Sequence, residues 1–309
     1  MKNLIVIIAY LFYFYPVKSF LRVIGYDRSI YLAERVSVIL KVFARKKIKR
    51  MRKNCKIFFG DTINNRDIEQ IIKKFLKNSA KLNINRLFFD RISREKCFAI
   101  SKFYGMENLH EALSFNKGAI ITFCHNGSHT LALHCLGALS DQVPHLYTFH
   151  DITSTSSRLN AFFTKKMVSH HMVGFAKTHQ KGLRDFYRSL KSNNIAAIAF
   201  DGVRGNKFIN VPFGKYRLKM SEGTFKLSLR TGAPIIPFFS SYDNGTGIRV
   251  YIGKPIIADN IQKAADTLIK EFETFILKYP QDWSGWIRLD MENDKEGAYF
   301  RLLKDKLLW

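Results

Sequence analysis

The chain has 309 residues, 47% of them hydrophobic, and a formal charge of +25 from 50 Lys and Arg against 25 Asp and Glu. That apolar content supports a sizeable core and excludes a bulk-disordered polypeptide. The charge favours an anionic partner: nucleic acid, anionic lipid or an acidic carrier protein.

Leu4 to Tyr15 is an unbroken apolar and aromatic run, preceded by Lys2 and followed by Pro16 and Lys18. It is shorter than the roughly 20 residues that span a bilayer. No small-residue cleavage site follows it, so an interfacial or marginally spanning anchor is expected rather than a signal peptide. The alternative is a helix that caps the main core. A basic block comes next: Arg45, Lys46, Lys47, Lys49, Arg50, Arg52, Lys53 and Lys56, with Ile48 and Met51 at helical spacing. Beside an apolar anchor, such a block suits an anionic membrane surface. Nucleic acid is not the expected partner, because no aromatic stacking platform or nucleic-acid motif accompanies it.

Asp67 to Ala80 and Asn85 to Phe103 read as helices, with Ile68, Ile71, Ile72 and Phe75 three and four apart. Strands are then expected at Ala119–Cys124, His145–Phe149, Met172–Phe175, Ile195–Phe200, Pro234–Phe239 and Ile248–Ile252. Helices are expected between most of them, at Ser128–Leu139, Ser157–His170, Gln180–Leu190 and Glu222–Arg230, and a last one runs from Ile261 to Leu277 before Pro280. This alternation implies an α/β fold with a mostly parallel central sheet flanked by helices. A division into an anchor and basic segment at 1–60 and an α/β domain at 61–309 follows, with a membrane-associated helix at the N-terminus. There are no internal repeats. The four cysteines, Cys55, Cys97, Cys124 and Cys135, form no Cys-x-x-Cys pair, so neither a zinc ribbon nor a thioredoxin motif is present.

Gly118 to Leu133 organises the chemistry. The buried strand expected at Ala119–Cys124 ends at His125, and a helix begins just beyond Gly127 and Ser128. Ligands of open α/β sheets bind at that edge, and an imidazole placed there can act as a base near neutral pH. His129 lies four residues on. The pair lacks the Glu and third ligand of a zinc site, so no metal is expected. Ser128 does not sit in a Gly-x-Ser-x-Gly elbow. The backbone N–H groups of Asn126 and Gly127 are candidates for holding an oxyanion or phosphate. A second constellation, Asp201 and Arg204, follows the strand Ile195–Phe200. Basic residues at Lys215, Arg217 and Lys219 come after it.

The order of these stretches resembles the late acyltransferases of lipid A biosynthesis, the lauroyl and myristoyl transferase family within the wider lysophospholipid acyltransferase group. His125–Thr130 is similar to the family's histidine motif. Gly182–Leu190 through Ile195–Asp201 is similar to its helix, strand and aspartate, and Val211–Gly214 to one of its loops. Gly223–Leu227 through Arg230–Phe238 is similar to the next helix and strand, and Tyr279–Trp286 to a tryptophan-bearing signature. The resemblance covers roughly residues 100–290 and implies a glycerol-phosphate-acyltransferase-like fold. It also implies a membrane-associated enzyme on the cytoplasmic face of the bacterial inner membrane. Such an enzyme moves a fatty chain from acyl carrier protein or acyl-CoA to a hydroxyl or amine of a lipid or glycolipid, without a cofactor.

One departure bears on the chemistry. The family places Asp or Glu five residues after the histidine, and Thr130 stands there in this chain. A hydroxyl can hold a tautomer but cannot offset imidazolium charge. The expected catalytic set is therefore His125 as base with Thr130, His129 and Asp201 around it, and Asp151 as a second carboxylate able to reach the ring. Asn126, Gly127, His150 (at the position of a family arginine), Arg204, Lys215 and Arg217 are expected to bind substrate. The alternative is a non-catalytic, acyltransferase-like binder of lipid or carrier protein.

Overall fold

The computed structural model describes residues 13–139, 141–151, 172–177, 179–202, 207–243, 245–294 and 297–302. The first part of the apolar run from Leu4, the helix expected at Ser157–His170 and Arg204 lie outside these residues. After a short π-helical turn at Tyr13–Val17 come three helices, α1 (Lys18–Ile24), α2 (Tyr26–Phe43) and α3 (Arg45–Phe59). Helix α3 carries the basic block. Its Ile48, Met51, Asn54 and Cys55 are buried, while the cations other than Lys47, which is half-buried, are exposed. The 24-residue α4 (Asn65–Phe88) is capped by Asn64, whose side chain accepts from the Asp67 N–H.

The long helix expected at Asn85–Phe103 is broken in three. Helix α4 ends at Phe88, Ser93 caps a new helix α5 (Arg94–Ile100), and Ser101–Tyr104 is an edge strand, β1. Ser93 accepts a hydrogen bond from the Lys96 N–H, the signature of an N-cap and hence of a fresh start. Helix α6 (Met106–Ser114) then leads to β2 (Ala119–Phe123), α7 (His129–Gly137), β3 (Leu146–Asp151), β4 (Met172–Lys177), α8 (His179–Lys191) and β5 (Ile195–Ala199). Strands β6 (Phe208–Phe213) and β7 (Tyr216–Ser221), helix α9 (Gly223–Thr231), strands β8 (Ile235–Tyr242) and β9 (Ile248–Ile252), and helix α10 (Ile261–Lys278) complete the main body. Strands β10 (Leu289–Asp294) and β11 (Gly297–Leu302) close the described chain.

The central sheet has seven strands in the order β1-β9-β8-β2-β5-β3-β4. Strands β8, β2, β5, β3 and β4 are mutually parallel, and β9 and β1 run the other way. A mostly parallel sheet flanked by helices was the expectation, and this is what forms. Both faces are covered, and the alternation along β2 shows how. Ala119, Ile121 and Phe123 enter one core layer with α1, α2, α5, α6 and α7, whereas Ile120 and Cys124 enter the other with α3, α8, α9 and α10. Parallel strands buried on both faces read as continuous apolar runs, which is why β2 and β5 were legible. Gly118 leads into β2 at φ +71°, and a Cβ there would lie 2.5 Å from the Asn194 carbonyl oxygen.

A second sheet, β10-β11-β7-β6, replaces the loop and basic stretch expected at 211–219. Leu218 and Met220 are buried between Arg217, Lys219 and Ser221, the alternation of a half-buried strand. Pro212 sits in β6, the edge strand, where no ladder donor is lost. Among the described residues no helix is long and apolar enough to cross a membrane.

Candidate active site

The register of the central sheet sets the site. Phe123 of β2 pairs with Ala199 of β5, and the Phe200 N–H donates to the Phe123 carbonyl at 3.0 Å. Two residues beyond each strand, His125 and Asp201 therefore leave the same rim side by side. His125 Nδ1 lies 2.6 Å from Asp201 Oδ1. The His125 backbone N–H also faces the carboxylate, at 3.2 Å from Oδ1 and 3.1 Å from Oδ2. A carboxylate at Nδ1 selects the tautomer with the proton on that nitrogen and leaves the Nε2 lone pair on the opposite edge of the ring. The His125 side chain is 41% exposed and that of Asp201 is fully buried.

Burial alone would raise the pKa of Asp201. The charges of His125 and Arg288, with the hydrogen bonds from His125, outweigh it and hold the carboxyl below the usual range. Trp283 Nε1–H donates to Oδ2 at 3.1 Å. A buried Arg288 donates to the Asp201 carbonyl at 2.5 Å and places a second guanidinium nitrogen 3.7 Å from Oδ2. The acid was thus present in the sequence at Asp201, and it reaches the histidine from the neighbouring strand. Thr130 does not take its place. Its hydroxyl oxygen is buried without a hydrogen-bond partner among the described residues.

His129 stands behind the dyad. Its ring stacks on Phe123 at 5.5 Å and meets His125 edge-on at 5.3 Å, and its Nδ1–H donates to the Asn126 carbonyl. Burial first, and the His125 charge next, lower its pKa to about 3, so the ring is neutral and serves as packing.

The N–H groups expected to hold an anion are already engaged. Asn126 N–H donates to the Cys124 carbonyl at 2.8 Å, and Gly127 N–H to the Asp282 carbonyl at 2.9 Å. The Asn126 amide donates to the Ser240 carbonyl at 2.6 Å, and Ser128 spends its hydroxyl on Ser240 at 2.8 Å. These residues fix the loop, and no nucleophilic serine is left at Ser128.

The loop is gripped from outside by the segment after α10, which runs through 3₁₀ turns at Pro280–Asp282 and Ser284–Ile287. Asn126 and Trp283 form an antiparallel bridge, and the Ser284 N–H donates to the His125 carbonyl at 2.9 Å. Gly285 lets Trp283 fold back, since a Cβ there would lie 2.0 Å from the indole. Asp282 is buried and accepts from Asn78 of α4 and Ser241 of β8, each at 2.7 Å. Burial pushes its pKa up to about 7 against those hydrogen bonds.

The other expected residues are not brought to the dyad by any described contact. Lys215 sits at the β6–β7 turn, its ammonium 5.7 Å from the Tyr216 ring centre and beside Gly60, and Arg217 lies in β7 opposite Pro212. His150 and Asp151 lie in β3, paired with Ala176 and Lys177 of β4. Asp282, Trp283 and Arg288 were given no role in advance. The tryptophan-bearing stretch was visible, but only the fold shows that it closes over the histidine loop.

An imidazole with an exposed edge, backed by a buried anion, can accept a proton from a hydroxyl and be stabilised as imidazolium. Cys124 is buried, and burial raises its thiol pKa, which removes it as a nucleophile. Among the described residues no three His, Cys, Asp or Glu side chains are grouped to hold a metal ion. None of the curated proteins compared with the chain matches it. A family model described as bacterial lipid A biosynthesis acyltransferase matches residues 2–289, and the chain belongs to that family of acyltransferases.

Proposed function

We propose that the chain transfers a fatty acyl group from a thioester, carried by acyl carrier protein or coenzyme A, to a hydroxyl of a lipid A-type glycolipid, with His125 as general base and Asp201 as its partner. The 2.6 Å contact between His125 Nδ1 and Asp201 Oδ1 carries this reading. The acceptor hydroxyl loses its proton to Nε2 as its oxygen attacks the thioester carbonyl. The tetrahedral intermediate collapses, the carbon–sulfur bond breaks, and the departing sulfur takes the proton from the imidazolium. The products are an ester and a free thiol. The dyad supplies the carboxylate that Thr130 lacks, so the non-catalytic alternative loses its motive.

Attachment to the cytoplasmic face of the inner membrane, where both lipid and thioester are present, is part of the same proposal. Two features of the described N-terminal helices support it. Val23, Val38 and Phe43 are 86%, 63% and 76% exposed, and Phe20, Ile39 and Val42 are exposed beside them. The exposed cations of α3 follow directly. An apolar face edged by Lys and Arg fits an anionic lipid surface. The surplus of cations also suits an acidic carrier protein.

Release of free thiol from dodecanoyl-CoA in the presence of bacterial glycolipid extract tests the activity. General-base assistance contributes about 10²–10⁴-fold, so His125→Ala should lower the rate by that order. A rate unchanged by His125→Ala would remove the imidazole from the chemistry.

A further inference from the structure

Arg288 lies outside every stretch the sequence singled out, yet its guanidinium is buried beside the dyad. It reaches Asp201 in two ways. One nitrogen donates to the Asp201 carbonyl at 2.5 Å, and another stands 3.7 Å from Oδ2. Its own backbone N–H donates to the Gly285 carbonyl at 2.8 Å, so the arginine is fixed to the segment that carries Trp283. The neighbouring strand β10 is in turn tied to α3, because the Asn54 amide donates to the Trp286 and Leu289 carbonyls at 2.8 and 2.9 Å. The guanidinium is thus held in buried surroundings where its charge is weakly screened.

We infer that Arg288 is a positioning residue for acyl transfer: it keeps Asp201 ionised and aimed at Nδ1, and it limits how tightly the His125–Asp201 pair holds a proton. Asp201 is buried, and a buried carboxylate facing only neutral donors such as Trp283 binds a proton. A protonated Asp201 could not stabilise the imidazolium. The cation beside it disfavours proton uptake by the pair as a whole, whichever member would carry the proton. The pair is therefore deprotonated, and His125 competent as a base, down to a lower pH than without the guanidinium. The other ionisable groups around the pair are His129 from α7, Cys124 just after β2 and Asp282 from the 3₁₀ turn, while Arg86 of α4 acts on His129. His129 is neutral, and Cys124 holds its proton, so neither substitutes for the arginine.

This inference rests on the dyad reading and is separable from it by the acidic limb of the kcat/KM profile, read as thiol release from dodecanoyl-CoA with glycolipid extract. Arg288→Gln keeps hydrogen-bond donors for the Asp201 carbonyl but removes the charge. Its acidic limb should move to higher pH by about one unit, in the range caused by a charge within 4–6 Å of a titrating group. Activity lost at pH 6 should be regained towards pH 9. Arg288→Lys, which keeps the charge, should leave the limb within about 0.3 unit of the parent, less than a third of that shift, and retain at least about a tenth of kcat. A purely structural arginine would lower activity at all pH values and leave the limb in place, and that result for Arg288→Gln overturns the inference. Should the Gln variant fail to fold, the Lys variant decides: a displaced limb, or kcat lost with the fold intact, overturns it. If His125→Ala is fully active, the dyad reading itself fails; if only the Arg288→Gln limb stays in place, this inference alone does.

Discussion

Two buried carboxylates stand within one loop's width of each other and are pushed in opposite directions. Asp201 faces an imidazole and a guanidinium, which overcome its burial and keep it ionised. Asp282 faces the neutral donors Asn78 and Ser241, with the cation Lys81 acting more weakly, and burial wins: its pKa rises to about 7. The sign of the stability effect follows. In the unfolded chain Asp282 ionises near the ordinary aspartate value, so between about pH 4 and pH 7 the folded state holds the extra proton. Stability from this group is fully present below about pH 4 and is lost progressively as pH rises to about 7. Asp282→Asn keeps the shape and removes the titration. It should be more stable than the parent at pH 8, on the order of 2–4 kcal/mol from about 1.4 kcal/mol per pH unit, with the gain vanishing by about pH 4. Denaturant unfolding at the two pH values checks this, and equal differences at both would show that Asp282 does not titrate as its burial implies. Thr130 teaches a related lesson at the same scale. A motif position without its acid does not signal a missing acid when a carboxylate from the next strand occupies the same edge of the ring.

At the level of elements, burial pattern decided what could be read in advance. Strands β2, β5 and β9 and helix α10 carry continuous or well-spaced apolar residues, and their limits fall within a residue or two of expectation. Strand β7 is masked in the sequence by the charges of Arg217 and Lys219, while Leu218 and Met220 between them carry the period of two. Strand β1 was absorbed into a helix because Phe98, Ile100 and Phe103 fit no single period, and only the Ser93 cap marks the restart. Helix α2 is apolar on two sides. Ile30 and Ala33 face inward, while Val38, Ile39, Val42 and Phe43 face out. That outer face gives the membrane proposal a test independent of chemistry. Replacing Val38, Ile39, Val42 and Phe43 together by Ser should reduce sedimentation with vesicles of anionic phospholipid by about tenfold or more, since each large apolar side chain withdrawn from lipid forfeits roughly 1.5–3 kcal/mol. Unchanged vesicle binding would assign attachment to some other part of the chain.

For the whole molecule, the decisive information was strand order. His125 and Asp201 could each be singled out as residues at strand ends, but Asp151 qualified equally well. The choice between them depends on β5 lying beside β2 with β3 one strand further out. Local patterning does not encode that order, because it is fixed by crossovers and by packing on both faces. The clamp from 282 to 288 was beyond reach for the same reason, since it joins residues far apart in sequence, Trp283 and Arg288 to Asp201 and Ser284 to His125. In the proposed mechanism this pairing makes His125 a base. The most direct measurement is single-turnover acyl transfer by Asp201→Asn, with folding verified by its unfolding transition. A base that needs its buried anion predicts a loss of about 10²–10⁴-fold with substrate binding retained. A folded Asp201→Asn enzyme working within threefold of the parent rate, compared with that 10²-fold minimum, would contradict it.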